Sequence, residues 1–294
     1  MDEDRHLLAA RQLFMRQALS DIRDAFGRAG IDSLVLKGPS LAATVYDHPT
    51  DRPFADLDIL VAPGCLEEAA TVLKEQGYVF AGQRPDRRAS VARANTFPMV
   101  GHRGVGVELH RSLSSHGLHD PDLTGLMARR IAFTWEGETF FGLEPTDLLL
   151  HLCIHMTKSL FMVEPKHVED LARVANRLPV DWGAFVHRAQ EANTRIGAFY
   201  ALRAGIRAGA SVPPAVMEKL APDRIRRVWL DAHLADAHPL YRFPRQPYWQ
   251  IQARIGLALM DNPRQWPAFA AYYIGLRIAD GVMQVQEKMG RGRP

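Results

Sequence analysis

The chain has 294 residues, with 36 lysines and arginines against 33 aspartates and glutamates, for a formal net charge of +3. Its 47% hydrophobic and 23% charged residues are globular values that exclude wholesale disorder, and the near-balance of charge argues against bulk coating of nucleic acid. Its length points to two domains, and with Cys65 and Cys153 as the only cysteines there is no disulfide framework, which fits a reducing compartment.

The opening MDEDRHLL lacks the apolar stretch of a signal peptide, and no apolar run reaches the length of a membrane span. A cytoplasmic protein without a membrane partner is therefore expected. Residues 3–28 carry Leu7, Leu8, Phe14, Met15, Leu19, Ile22 and Phe26 near helical spacing, closed by Gly27 and Gly30. Leu34-Val35-Leu36 reads as a buried strand ending at Lys37-Gly38, and 40–46 as a short helix. Residues 54–61 form a second strand, 66–76 a helix stopped by Gly77, and 78–81 a third strand. The segment 82–95 is a loop rich in arginine (Arg84, Arg87, Arg88, Arg93), followed by strands at 97–100 and 105–110. A helix near 121–130 leads to a hairpin of 133–135 and 139–141, turning at Glu136-Gly137.

From Glu144 onward no strand is expected. Helical segments fall at 146–160, 165–177, 182–193, 195–209, 214–220, 222–236, 247–261 and 267–289, punctuated by prolines, with a frayed basic tail at 290–294. The predicted fold is α+β: a mixed sheet flanked by helices in residues 1–143, then an all-helical part in 144–294.

The chemistry concentrates in residues 34–61. Asp56 and Asp58 are two apart on a strand, so both carboxylates share one face while Leu57, Ile59 and Val61 take the other. Carboxylates that converge repel unless a cation sits between them, and Mg²⁺ takes oxygen ligands of this kind. Upstream, Gly38 lets backbone approach a phosphate, and the following helix start offers free N–H groups. Ser40 can bond a phosphate oxygen or cap that helix. Lys37 ends a buried strand and needs an anionic partner. Arg52 lies four residues before Asp56, within reach of the same anion. On the strand 105–110, alternation puts Glu108 and His110 on one face, which makes Glu108 a third carboxylate, as metal ligand or general base.

The order K-G, R-P-x-x-D-x-D, V-E-L-H resembles the polymerase-beta-type nucleotidyltransferase superfamily, and within it a bacterial nucleotidyltransferase-like family. The resemblance covers residues 30–112, with the turn here written Gly38-Pro39-Ser40 and Glu108 standing where Asp is commoner. It implies a polymerase-beta-type fold and a two-metal transfer, with Asp56, Asp58 and Glu108 holding Mg²⁺ or Mn²⁺. Lys37, Gly38, Ser40 and Arg52 would cradle the phosphates of an NTP, expected to be ATP. A hydroxyl of a small-molecule or peptide acceptor would attack the α-phosphorus and expel pyrophosphate. The helical part would wall the cleft, bringing His155, Lys158 and Asp170 towards it, with His110 beside Glu108. Transfer to the acceptor end of tRNA, phosphoryl transfer from the γ-position, and a non-catalytic binding module are the competing readings. His151 and His155 share a helix face at a spacing that suits zinc, but no third ligand is evident.

Overall fold

The computed structural model describes residues 2–81, 96–114, 119, 121–161, 163–234, 248–267 and 270–271. The arginine-rich segment 82–95, the tail 290–294 and nearly all of the predicted helix 267–289 lie outside the described residues.

Helix α1 spans Asp2–Ala29 and is followed by β1 (Ser33–Val35), α2 (Pro39–Thr44) and β2 (Asp56–Val61). Then come α3 (Leu66–Glu75), β3 (Val79–Phe80), β4 (Thr96–Val100), β5 (Gly106–His110) and α4 (Leu123–Ala128). Strands β6 (Ile131–Trp135) and β7 (Glu138–Gly142) form a hairpin that closes through Glu136 and Gly137, both at positive φ. The helical part holds α5 (Pro145–Lys158), α6 (Pro165–Arg177), α7 (Trp182–Glu191), α8 (Arg195–Arg207), α9 (Pro214–Leu220), α10 (Arg224–Leu234) and α11 (Tyr248–Leu259). Prolines open α2, α5, α6 and α9 at the first turn, where a missing N–H breaks no helical bond.

The strands make one mixed seven-stranded sheet in the order β3-β4-β5-β2-β1-β7-β6. β1 runs antiparallel to β2 and parallel to β7, while β2 and β5 are parallel with Asp58 opposite Glu108. The side-chain period of two sends Leu57, Ile59 and Val61 of β2, with Val107 and Leu109 of β5, to one face. There they bury in one core with Met15, Leu19, Ile22 and Phe26 of α1 and with Leu66, Ala69, Ala70 and Leu73 of α3.

The opposite face carries Leu34 and Leu60, which join Leu41 of α2 and a run from Leu148 to Met156 of α5 in a second core. That core continues through α6, α7 and α8, so it crosses the segment 142–145 where the sequence places a boundary. α5 is its axis: eleven of its residues from Thr146 to Thr157 are buried. Asp56, Asp58, Glu108 and His110 project on this second face, the one the helical part covers.

Candidate active site

Each side chain of the candidate site is delivered by a strand end or a helix face. β1 delivers Lys37 just past its last paired residue, where the Leu36 amide still bonds the Asp58 carbonyl at 3.0 Å. Gly38 then turns at φ 64°, a left-handed conformation that L side chains rarely adopt, and a Cβ there would sit 3.5 Å from the Phe54 ring. The turn starts α2, where Ala42 N–H bonds the Gly38 carbonyl at 3.0 Å. Ser40 Oγ is buried and has no hydrogen-bond partner among the described residues. It therefore does not cap α2.

Asp58 is 2% exposed and held by two cations or donors. Lys37 Nζ lies 3.2 Å from its Oδ2, and His110 Nε2 donates to its Oδ1 at 2.9 Å. Burial works against the ionised Asp58, but the His110 hydrogen bond and the Lys37 charge outweigh it and hold the carboxyl well below its usual range. Asp56 behaves in the opposite sense: burial first, then the Asp58 charge, raise it. Glu108, half-exposed, puts Oε2 3.6 Å from His110 Nε2. One ligand atom each from Asp58, Glu108 and His110 falls within a single 4.8 Å group, to which Asp56 does not belong. The pairing of carboxylates on adjacent strands fits a divalent cation in its donor chemistry.

The α5 face opposite this cluster carries His151, His155 and Lys158. His151 is buried with neither ring nitrogen bonded among the described residues, and burial pushes it down to about 3. His155 is lowered by burial and then by Lys37, and its ring centroid lies 6.5 Å from that of His151 and 4.9 Å from that of His167 on α6. Burial also lowers Lys158, against the attraction of Glu108. The structure thus brings Lys37, Asp56, Asp58, Glu108 and His110 together, with His151, His155 and Lys158 close enough to feel their charges. His167 is a neighbour the sequence did not single out. A lone histidine on an amphipathic helix carries no signal of what stands opposite it.

Arg52 and Asp170, singled out separately in the sequence, are bonded to one another. Arg52 Nε and NH2 bond Asp170 Oδ1 and Oδ2 at 3.0 and 2.7 Å, and the Tyr46 hydroxyl donates to the same carboxylate at 2.8 Å. Both partners are buried, Arg52 at 3% and Asp170 at 0% exposure. The guanidinium is thus committed to a carboxylate of the chain itself, because a buried charge requires a close partner. The pair ties the α2–β2 connection, which carries Arg52, to α6, which carries Asp170. The tie is reinforced where Arg177 donates to the Val45 carbonyl at 3.1 Å and Arg173 stacks 4.3 Å from the Tyr46 ring centre. Tyr46 is a second residue missed from sequence, since its bond is to a residue 124 positions away.

Comparison with solved structures gives distant likenesses. The antibiotic-resistance factor ANT(2'')-Ia aligns at 10% identity and a TM-score of 0.41, over 76% of this chain and 97% of that one. The lincosamide antibiotic adenylyltransferase LnuA, bound to lincomycin, aligns at 12% identity and 0.36, over 54% of this chain and 94% of that one. A tRNA-processing enzyme in an apo form aligns at 11% identity and 0.27, over 87% and 77%. Among proteins with curated descriptions none matches. The family model described as uncharacterised nucleotidyltransferase matches residues 1–204, well over half of the chain and the whole of the carboxylate cluster with α5 and α6. With strand-borne acids, a lysine–glycine turn and a helical wall all inside that match, the chain belongs to this nucleotidyltransferase family and is a transferase.

Proposed function

We propose that the protein transfers a nucleoside monophosphate from an NTP, with ATP the expected donor, to a hydroxyl of a small-molecule or peptide acceptor, releasing pyrophosphate. The observation that carries this reading is the register that sets Asp58 opposite Glu108 on parallel strands, with Lys37 bonded to Asp58 from the end of the next strand. A divalent ion on these carboxylates, Mg²⁺ or Mn²⁺, would neutralise charge on the phosphoryl oxygens and orient them. Asp56, raised by burial and by its neighbour, stands at the mouth of the same strand and would complete the acidic edge.

The remaining work falls to the chain's own groups. Lys37 presents its ammonium, and Gly38 permits close approach of backbone to the phosphates. Ser40 Oγ, buried and without a partner among the described residues, has a donor available for one phosphate oxygen. Lys158, His155 and His151, all lowered by burial, would exclude water from the α5 side and offer polar atoms to an anion. Glu108, the more exposed of the paired carboxylates, would receive the acceptor's proton. Arg52 acts at one remove, by fixing the connection that leads into β2. In this reading residues 1–143 carry the phosphate chemistry, 144–294 select the acceptor, and the protein works in the cytoplasm.

The test uses NTPs labelled separately at the α- and γ-phosphates, incubated with divalent ion, protein and a cell extract as source of acceptors. Alpha label in a small or peptide product, lost in Asp58→Asn, is the expected result. Label moving from the γ-position would replace the reading by phosphoryl transfer, and α-label in tRNA would replace the acceptor class.

A further inference from the structure

The donor set beside Lys37 is not that of an all-oxygen ion site. His110 Nε2 lies 2.9 Å from Asp58 Oδ1 and 3.6 Å from Glu108 Oε2. Donors at adjacent corners of a coordination shell stand about 3.0–3.4 Å apart when each is ~2.1 Å from the ion. The two distances bracket that spacing, and all three ligand atoms already fall within the 4.8 Å group; binding an ion at Nε2 releases to solvent the proton that Nε2 otherwise donates to Asp58 Oδ1. Asp58 Oδ2 is meanwhile engaged by Lys37, which leaves Oδ1 as the oxygen turned to His110.

A second observation comes from α5. His151 is 4% exposed, and neither of its ring nitrogens finds a partner among the described residues. Its ring centroid lies 6.5 Å from that of His155 on the same helix, and the charges of Lys37, His110 and Asp58 bear on it. Buried polar atoms are nearly always bonded, so an imidazole without a partner among the described residues has a ring nitrogen available to a bound group.

Mg²⁺ prefers oxygen and gives up its waters reluctantly, whereas imidazole nitrogen favours first-row transition ions. We infer that Asp58, Glu108 and His110 form a site for a divalent transition ion in preference to Mg²⁺, with His110 as the nitrogen ligand that sets the preference. The inference rests on the proposed transfer site and adds which ion that site takes.

Titration calorimetry of the full chain with MnCl₂, CoCl₂ and MgCl₂ alone, without nucleotide, tests it. Co²⁺ and Mn²⁺ are expected to bind at least about tenfold more tightly than Mg²⁺, with Co²⁺ ahead of Mn²⁺. His110→Ala should weaken Co²⁺ binding by about tenfold or more and leave the weak Mg²⁺ binding nearly unchanged. Asp56→Asn, outside the ligand group, should keep the Co²⁺ preference. Pulsed EPR of the wild-type Mn²⁺ complex gives a readout that needs no variant to fold, because a coordinated imidazole produces nitrogen modulation. Equal affinity for Mg²⁺ and Co²⁺, absence of that modulation, or its survival in a folded His110→Ala would overturn the assignment. Loss of the modulation in His151→Ala but not in His110→Ala would overturn it as well, by moving the ligand to α5. Selective Co²⁺ binding without nucleotidyl transfer would sink the functional reading alone, and transfer supported equally by Mg²⁺, with no nitrogen signal, would sink only this inference.

Discussion

Removing the Arg52 guanidinium would leave the Asp170 carboxyl fully buried and without its bidentate partner. Breaking a buried pair from one side destabilises by about 3–5 kcal/mol, so Arg52→Ala should lower the urea midpoint clearly. Replacing both charges, Arg52→Met with Asp170→Leu, should recover most of that loss, short of the roughly 1–3 kcal/mol for the Tyr46 hydroxyl left without its acceptor. A single variant as stable as wild type would show that the pair carries no such burden. Both residues were singled out from sequence, yet as two separate site candidates. Their partnership spans 118 positions, and nothing in local spacing encodes it. Asp58 and Glu108 were legible for the opposite reason: strand alternation fixes the face of each side chain, and an apolar partner set on the other face agrees with it.

α5 and α8 meet through a glycine. A Cβ at Gly197 would come within 2.4 Å of Thr157 Oγ1 and 3.1 Å of its Cβ, and Thr157 is itself fully buried and bonded to the Cys153 carbonyl at 2.8 Å. Thr157 adjoins Lys158 at the end of α5, so pushing the helices apart there disturbs the wall of the site. Gly197→Ala should therefore cost about 1–3 kcal/mol in chemical denaturation despite its better helix propensity, and should weaken nucleotide binding along with stability. Stability raised by this substitution would mean the helices have room to part. The elements themselves were largely readable: α6 and α9 fall at their expected limits, and most others differ by one to three residues at their ends. The parallel bond between β1 and β7 was not readable. It joins Val35 to Gly142 across more than a hundred residues, and short apolar strands carry no label for their partner.

Across the molecule, several histidines are kept neutral by burial. His151 is pushed down to about 3 and His119 to about 4, and His155 and His167 are lowered as well. In the unfolded chain each titrates near ~6.5. Below that pH the unfolded state binds protons that the folded state refuses, so stability falls as pH drops, by about 1.4 kcal/mol per pH unit for each such histidine. Asp58, held low, adds to acid lability only in the more acidic range where the unfolded carboxyl takes its proton, and Asp56, raised, opposes it there. Urea midpoints at pH 7.5 and 5.5 should differ accordingly, and His151→Asn should shrink the difference; equal midpoints would contradict a set of buried neutral rings. No described helix is long and apolar enough to cross a membrane. What the sequence did not convey is that the second core runs across residues 142–145, because hydrophobic pattern marks which face is buried and not which element buries it.

The position of β1 between β2 and β7 also sets an order in time. A chain emerging from the ribosome has made Lys37, Asp58 and Glu108 long before it has made the strand that flanks β1 or the helix that covers Leu34 and Leu60. Until α5 has been synthesised, the apolar side of the sheet that bears the acids stands open to water. The acidic cluster is thus among the last parts of the molecule to be sheltered, and a nascent chain stalled before residue 158 would present a sticky surface to chaperones before it presented a finished fold.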